Sequence, residues 1–336
     1  KLVLRNGVIG LVITLASYSI AYFVLNALLN AGLLGQGVEP TTVVEPLSGS
    51  LGSGIIEDHW PRRNATDIPR NTKIFVTFKE AMDVDSLTSE LIEDVDGDPE
   101  TVEDNTWSLN AENVVIYANQ DGEAGALTAE EVEVNATYDK LIWVFDPVDY
   151  IGSPDDETNY TVALKPGIML EDGSPAFEGA FDDGYEWGFQ VSTELDVTPP
   201  YVTSVVPGDQ TTRDRNIVVQ INFNEAMDPT AVTGIHDVDD DREGYVDPDP
   251  AVDSPDFANV LVESSADQVD YDSVDGTWSI SNGYKTVEFV TFDACGEDPC
   301  GDTIYCLPGD SYIHTTAKAA TLGDEPPEAA GFPYDG

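Results

Sequence analysis

A stretch of this chain occurs twice. Arg70-Asn71, Phe78 and Glu80-Ala81-Met82-Asp83 return as Arg215-Asn216, Phe223 and Glu225-Ala226-Met227-Asp228, 145 positions later in every case. Lys140, in Asp-Lys-Leu-Ile-Trp-Val-Phe-Asp, returns as Lys285 at the same distance, and Pro61 returns as Pro207 with one residue of slippage. A constant offset over that length marks tandem copies of one structural unit. Whatever fold the first copy takes, the second must take too. Each has to close its own core within about 140 residues, which is an ordinary domain size.

Within each copy the apolar residues favour strands. Lys73-Ile-Phe-Val-Thr-Phe78 and Asn216-Ile-Val-Val-Gln-Ile-Asn-Phe223 are β-branched and aromatic with partial alternation. Val114–Tyr117, Lys140–Phe145, Tyr160–Leu164, Trp187–Val191 and Val287–Phe292 have the same character, and Gly, Pro and Asp separate them. No segment after residue 40 keeps a helical period for more than about two turns. Short strands at this density predict an antiparallel β-sandwich for each copy.

The N-terminus is different. No charge occurs between Arg5 and Glu39, and Gly7 to Leu34 is apolar enough and long enough to cross a bilayer as a helix. Lys1 and Arg5 flank its start, which puts the N-terminus inside and the rest outside. A cleaved signal peptide, the alternative, has a shorter apolar region. Gly10, Thr14, Ser17 and Ala21 fall on one helical face, where small residues let helices pack closely in lipid. Residues 36–54, rich in Gly, Ser and Pro, read as a flexible linker. The expected organisation is a hydrophobic helix over 1–35, a linker over 36–54, and β domains over 55–195 and 196–336. Lys1 is not a Met, and the chain stops in Phe-Pro-Tyr-Asp-Gly, so both ends read as cut. The second domain reads as incomplete at its C-terminal end, because nothing after residue 300 matches Trp187-Gly-Phe-Gln-Val-Ser-Thr193.

Charge narrows the function. There are 64 Asp and Glu against 14 Lys and Arg, a net charge of −50. Such a surface repels nucleic acid, and it strains a compact fold unless cations screen or bind it. Asp94, Asp96 and Asp98 alternate around a glycine. Asp237, Asp239, Asp241, Glu243 and Asp247 form a denser loop around Gly244, which is the first half of a calcium-loop spacing. The twelfth position of that loop is Pro250 rather than a bidentate Glu, so an EF-hand is not expected. Oxygen-rich Ca2+ coordination in sandwich loops is the expectation, against the plainer alternative of solvated turns. The three cysteines, Cys295, Cys300 and Cys306, are disulfide candidates: one short-loop bridge and a spare thiol, with the pairing open. The alternative, zinc, would need four ligands, and the nearest histidine is His314.

Motifs for catalysis are missing. His59, His236 and His314 are far apart, and no nucleophile elbow, metalloprotease helix, phosphate loop or dinucleotide fingerprint occurs. Met82 and Met227 read as core plugs beside a turn, with Glu80 and Asp83 capping backbone groups.

The segment Pro199-Pro200-Tyr-Val-Thr-Ser-Val-Val-Pro207, a strand, and then Asn224-Glu-Ala-Met-Asp-Pro229 resembles the bacterial Ig-like domain of S-layer proteins, the SbsA type. The first copy resembles it too, from Ile55 through Glu80-Ala-Met-Asp83 to the closing Trp187–Thr193. The helix and linker look like those of pilin-like surface proteins of candidate-phyla (Patescibacteria) bacteria, although Arg5 stands where a type IV pilin would carry Glu. The resemblance implies a mostly β protein: two tandem Ig-like antiparallel β-sandwiches behind one long hydrophobic α-helix. It implies a non-catalytic structural protein of the cell surface, a subunit of a pilus-like filament or surface layer. Self-association through the helix or a sheet edge, and contact with the membrane, are the expected interactions. The alternative is a membrane-anchored adhesin with a host-cell or glycan ligand. No nucleic-acid partner is expected.

Overall fold

The computed structural model describes residues 54–94, 102, 105–208, 211–236 and 259–317. They belong to one compact unit, Leu47–Gly336. The expected helix, its packing face and the linker up to Ser53 lie outside the described residues.

The described chain is mostly β. Its first half holds β1 (Ile56–Trp60), β2 (Ile74–Phe78), β3 (Thr88–Asp94), β4 (Asn105–Leu109), β5 (Val114–Ala118), β6 (Val132–Ala136), β7 (Ile142–Pro147), β8 (Thr158–Leu164) and β9 (Tyr185–Val191). They form a six-stranded sheet, β1-β2-β7-β6-β4-β3, and a three-stranded sheet, β5-β8-β9. The second half holds β10 (Val202–Val206), β11 (Val219–Phe223), β12 (Gly234–His236), β13 (Val260–Ser265), β14 (Asp272–Ser273), β15 (Gly276–Ser281), β16 (Thr286–Thr291), β17 (Ala294–Glu297), β18 (Thr303–Tyr305) and β19 (Tyr312–Ala317). These give a five-stranded sheet, β10-β11-β16-β15-β12, a three-stranded sheet, β14-β13-β19, and the hairpin β17-β18. The strand pairs within these sheets are antiparallel.

Alternation explains the packing. In β9, Tyr185, Trp187, Phe189 and Val191 point inward and are buried, while Glu186, Gly188 and Gln190 face out. They join Ile74, Val76, Phe78, Trp143 and Phe145 in one apolar cluster between the two sheets of the first half. Val219, Ile221, Phe223, Trp278, Val287 and Phe289 anchor a separate cluster in the second half. Each such side chain contributes about 1.5–3 kcal/mol when fully buried.

The repeated residues hold the same places in both halves. Ile151 N–H donates to Arg70 O at 3.0 Å, and Arg70 Nε–H donates back to Ile151 O at 3.2 Å. Leu307 and Arg215 make the same two bonds at 2.9 and 2.7 Å. The Asp of each Glu-Ala-Met-Asp motif caps a single helical turn, α1 (Val84–Leu87) or α2 (Pro229–Val232). Asp83 Oδ1 accepts from Ser86 N–H at 2.9 Å, and Asp228 Oδ1 accepts from Thr230 N–H at 3.0 Å. Met82 and Met227 are buried beneath these turns.

β9 is tied to the end of β1 through His59. Its Nδ1 is 2.9 Å from Pro61 O, which can only accept, so Nε2 accepts from the Tyr185 hydroxyl at 3.1 Å. Trp187 packs against the imidazole, ring centroids 4.3 Å apart and tilted by 30°, and donates its indole N–H to the same Pro61 O at 2.9 Å. Burial lowers the imidazole pKa to about 4, overcoming the opposite pull of the Pro61 carbonyl, and Arg63 and Arg62 lower it further. The unfolded chain takes up a proton at ordinary histidine pH and the folded one does not. The stability contribution is therefore complete above pH 6.5 and is lost as pH falls toward 4. It amounts to about 3 kcal/mol. Urea unfolding of wild type and His59→Gln should converge by that amount between pH 7 and pH 4; a pH-independent difference would contradict this role.

Candidate functional site: the seam between the repeats

The six-stranded sheet is apolar on both faces at its centre. On β2 and β7, Phe75, Ile142 and Val144 point away from the first core, yet they are almost fully buried. Tyr284, from the turn between β15 and β16, covers them. Its ring lies 5.1 Å from that of Phe75, and its hydroxyl is 2.7 Å from Thr77 Oγ1. Burial raises the Tyr284 pKa, so the phenol stays neutral. The turn places Tyr284 at φ 63° and Gly283 at φ 64°. Positive φ is uncommon for an aromatic residue, and burial against Phe75, Ile142 and Val144 together with the Thr77 bond holds it there. At Gly283 a Cβ would meet only the movable end of the Arg62 side chain, so the positive φ is what favours glycine there.

Beside this apolar contact lies an ionic one. Lys73 Nζ is 2.8 Å from Asp228 Oδ2 and 3.3 Å from Asp146 Oδ2. Asp228 is only 3% exposed. Burial alone would raise its pKa, but the Lys73 ammonium and the Thr230 hydroxyl and amide outweigh burial and leave it lowered. Asp146 goes the other way: burial raises it, and the more distant Lys73 compensates less. The difference follows from the shorter Lys73 contact and the extra hydrogen bonds at Asp228.

The connector between the halves is also held. Asn71 grips Asp196 by its backbone, donating to the carbonyl at 2.7 Å and accepting from the N–H at 2.9 Å. Asn224 Oδ1 accepts from Tyr201 N–H at 2.6 Å. Lys285 Nζ lies 6.0 Å above the Trp60 ring.

The sequence-derived candidates lie away from this seam. Asp94 ends β3, paired with Asn105. Asp96, Asp98, Asp237, Asp239, Asp241, Glu243 and Asp247 lie outside the described residues, as do Gly10, Thr14, Ser17 and Ala21. Among the described residues no group of three or more His, Cys, Asp or Glu side chains is arranged to hold a metal ion. No helix among them is long and apolar enough to cross a membrane. Cys295 and Cys306 are joined across the β17-β18 hairpin, and Cys300 is an exposed free thiol in its turn. Asn71 and Asp228 stand in the repeated motifs, whereas Phe75, Ile142, Val144 and Tyr284 carry no motif in the sequence. The signal of the first three was the weak alternation of 73–78 and 140–145, where both faces of a strand are apolar because both are covered.

No protein-family model matches the chain, and no curated protein does. Among solved structures it is similar to domains 1–6 of the surface layer protein SbsC, at 11% identity and a TM-score of 0.28, over 78% of this chain and 40% of that one. A structure of the S-layer protein rSbsC gives 10% identity and a TM-score of 0.26, over 76% of this chain and 40% of that one. This chain thus spans well under half the length of either. At scores this low the likeness establishes neither a common fold nor a common function.

Lys73→Met would leave the Asp228 carboxylate buried and unpaired, at a cost of about 3–5 kcal/mol. Adding Asp228→Asn should recover most of that, because Asn still caps α2. Urea unfolding of the single and double variants tests the pairing; a double variant no more stable than Lys73→Met would contradict it.

Proposed function

We propose that this chain is a non-catalytic structural protein of the cell surface, a building block of an extracellular filament or surface layer. Its repeats are read as two tandem Ig-like β-sandwiches, 55–195 and 196–336, behind a hydrophobic helix that anchors or assembles them. The observation that carries the proposal is the seam. A spacer that projects from a surface must transmit orientation from one unit to the next. The Tyr284 contact, the Lys73–Asp228 pair and the Asn71 grip on the connector are suited to that.

Three features of the sequence support the same function: the tandem repeat, the net charge of −50, and the lack of any catalytic motif. Calcium at the acidic loops around Asp94–Asp98 and Asp237–Asp247 would relieve the self-repulsion of such a surface. Contacts between copies would run through the Gly10–Ala21 helix face or through a sheet edge.

Negative-stain electron microscopy of native cell surfaces, with and without a chelator, tests the proposal. Ordered filaments or sheets containing this chain are expected, disordered by chelation. Isolated particles attached only to membrane would overturn the building-block function in favour of an anchored adhesin.

A further inference from the structure

The ionic contact at the seam has the parts of a reaction site. Lys73 Nζ faces one oxygen of Asp228, Oδ2, at 2.8 Å. The other oxygen is engaged separately: Asp228 Oδ1 accepts from the Thr230 N–H at 3.0 Å and from the Thr230 hydroxyl at 2.7 Å. A second carboxylate, Asp146 Oδ2, stands 3.3 Å from the same Nζ. An amine, a carboxyl carbon, two donors on its far oxygen and a further carboxylate therefore share one place. The Asp228 side chain is 3% exposed and that of Lys73 18%.

Regular elements hold each part. Lys73 directly precedes β2, and Asp146 lies on the neighbouring strand β7, where Ile74 stands opposite Phe145. Asp228 is the N-cap of α2, so its side chain cannot swing away without undoing the cap. The repeat itself does not call for the lysine. Val218 stands 145 positions after Lys73, and Asp83 caps α1 without a lysine among the described residues. An ion pair with a partner this buried gains little from its charges, because desolvation offsets much of the attraction. The Lys73 ammonium holds the Asp228 pKa down, so the ion pair is the resting arrangement. Passage of one proton from Nζ to Oδ2 along the 2.8 Å contact turns it into an amine against a carboxylic acid, a neutral pair that burial favours. Burial raises the Asp146 pKa, which suits that carboxylate to hold a proton.

We infer that Lys73 and Asp228 condense into an amide, a covalent cross-link between the two repeats, with Asp146 as the proton carrier. The amine lone pair attacks Cγ of Asp228, and the π pair moves onto Oδ1, where the two Thr230 donors stabilise it. Asp146 takes a proton from the nitrogen and passes it to Oδ2. The pair on Oδ1 then returns, the Cγ–Oδ2 bond breaks, and Oδ2 leaves as water carrying two of the ammonium protons. The remaining proton stays on the amide nitrogen, and no co-reactant is consumed. Free amines and carboxylates in water do not condense to any useful extent, but a held contact can equal an effective concentration on the order of 10⁵–10⁸ M. Oδ1 is still an acceptor in the amide, so the cap of α2 survives. The bond spans 155 residues of sequence and restricts the unfolded chain as a long-loop disulfide does. The inference goes beyond the surface-protein proposal and does not depend on it.

Peptide mapping of the folded full chain, after denaturation and reduction, is the test. Trypsin cuts an unlinked chain after Lys73. In a linked chain that cut is blocked, and peptide 71–79 is recovered joined to peptide 216–242, lighter than the two together by one water. The joined peptide is expected from more than half of the chains; cleavage after Lys73 in half or more of them would overturn the inference. Lys73→Arg keeps a cation beside Asp228 and should give no joined peptide. Asp146→Ala leaves Lys73 and Asp228 in place and should slow joining at least tenfold, with unchanged circular dichroism. Joining at the wild-type rate would overturn the part given to Asp146. The two Lys73→Met chains compared by urea unfolding both lack the amine, so that comparison is independent of the bond.

Discussion

The outer face of the six-stranded sheet carries Phe75, Ile142 and Val144, and a face that apolar cannot be left in water. Covering it is the constraint on which the arrangement of the two halves depends. Tyr284 does so from a turn that forces the residue into an uncommon backbone conformation, and its hydroxyl, which burial would otherwise penalise, is satisfied by Thr77. The neighbouring Lys73 pair adds specificity more than stability, since desolvating both charges offsets much of their attraction. Together they turn a covalent connection into a fixed junction.

The motif that defines the repeat is reused at this junction. In the first half Asp83 only caps its helical turn. In the second half Asp228 caps α2 and also receives Lys73 from the first half. The Arg of the Arg-Asn pair ties the strand connection in both halves. The Asn, at position 71, holds the chain that leads into the next repeat. The repeated residues thus serve two purposes: Phe78, Phe223, Met82 and Met227 fill the two cores, while Asn71 and Asp228 are used at the joint.

Much of the β architecture could be read from the sequence. The offset of 145 gave the pairing of the halves, and the β-branched runs gave β2, β7, β8, β9 and β16. The seam was less legible. Strands apolar on both faces and strands with imperfect alternation look alike in one dimension, and Tyr284 lies in a turn where no periodicity marks it. Lys73 and Asp228 are 155 residues apart, and nothing local links them. The cysteine pairing was not legible either, because three thiols within twelve residues allow three bridges, and only the hairpin register of β17 and β18 chooses among them.

The claim that the two halves behave as one rigid body is tested most directly by pulsed electron spin resonance between one label on an exposed position of β3 and another on the exposed turn near Asp270. A single narrow distance distribution in the wild type, broadened in Tyr284→Ala, is the predicted result. A broad distribution in the wild type, or one that Tyr284→Ala leaves unchanged, would contradict the account.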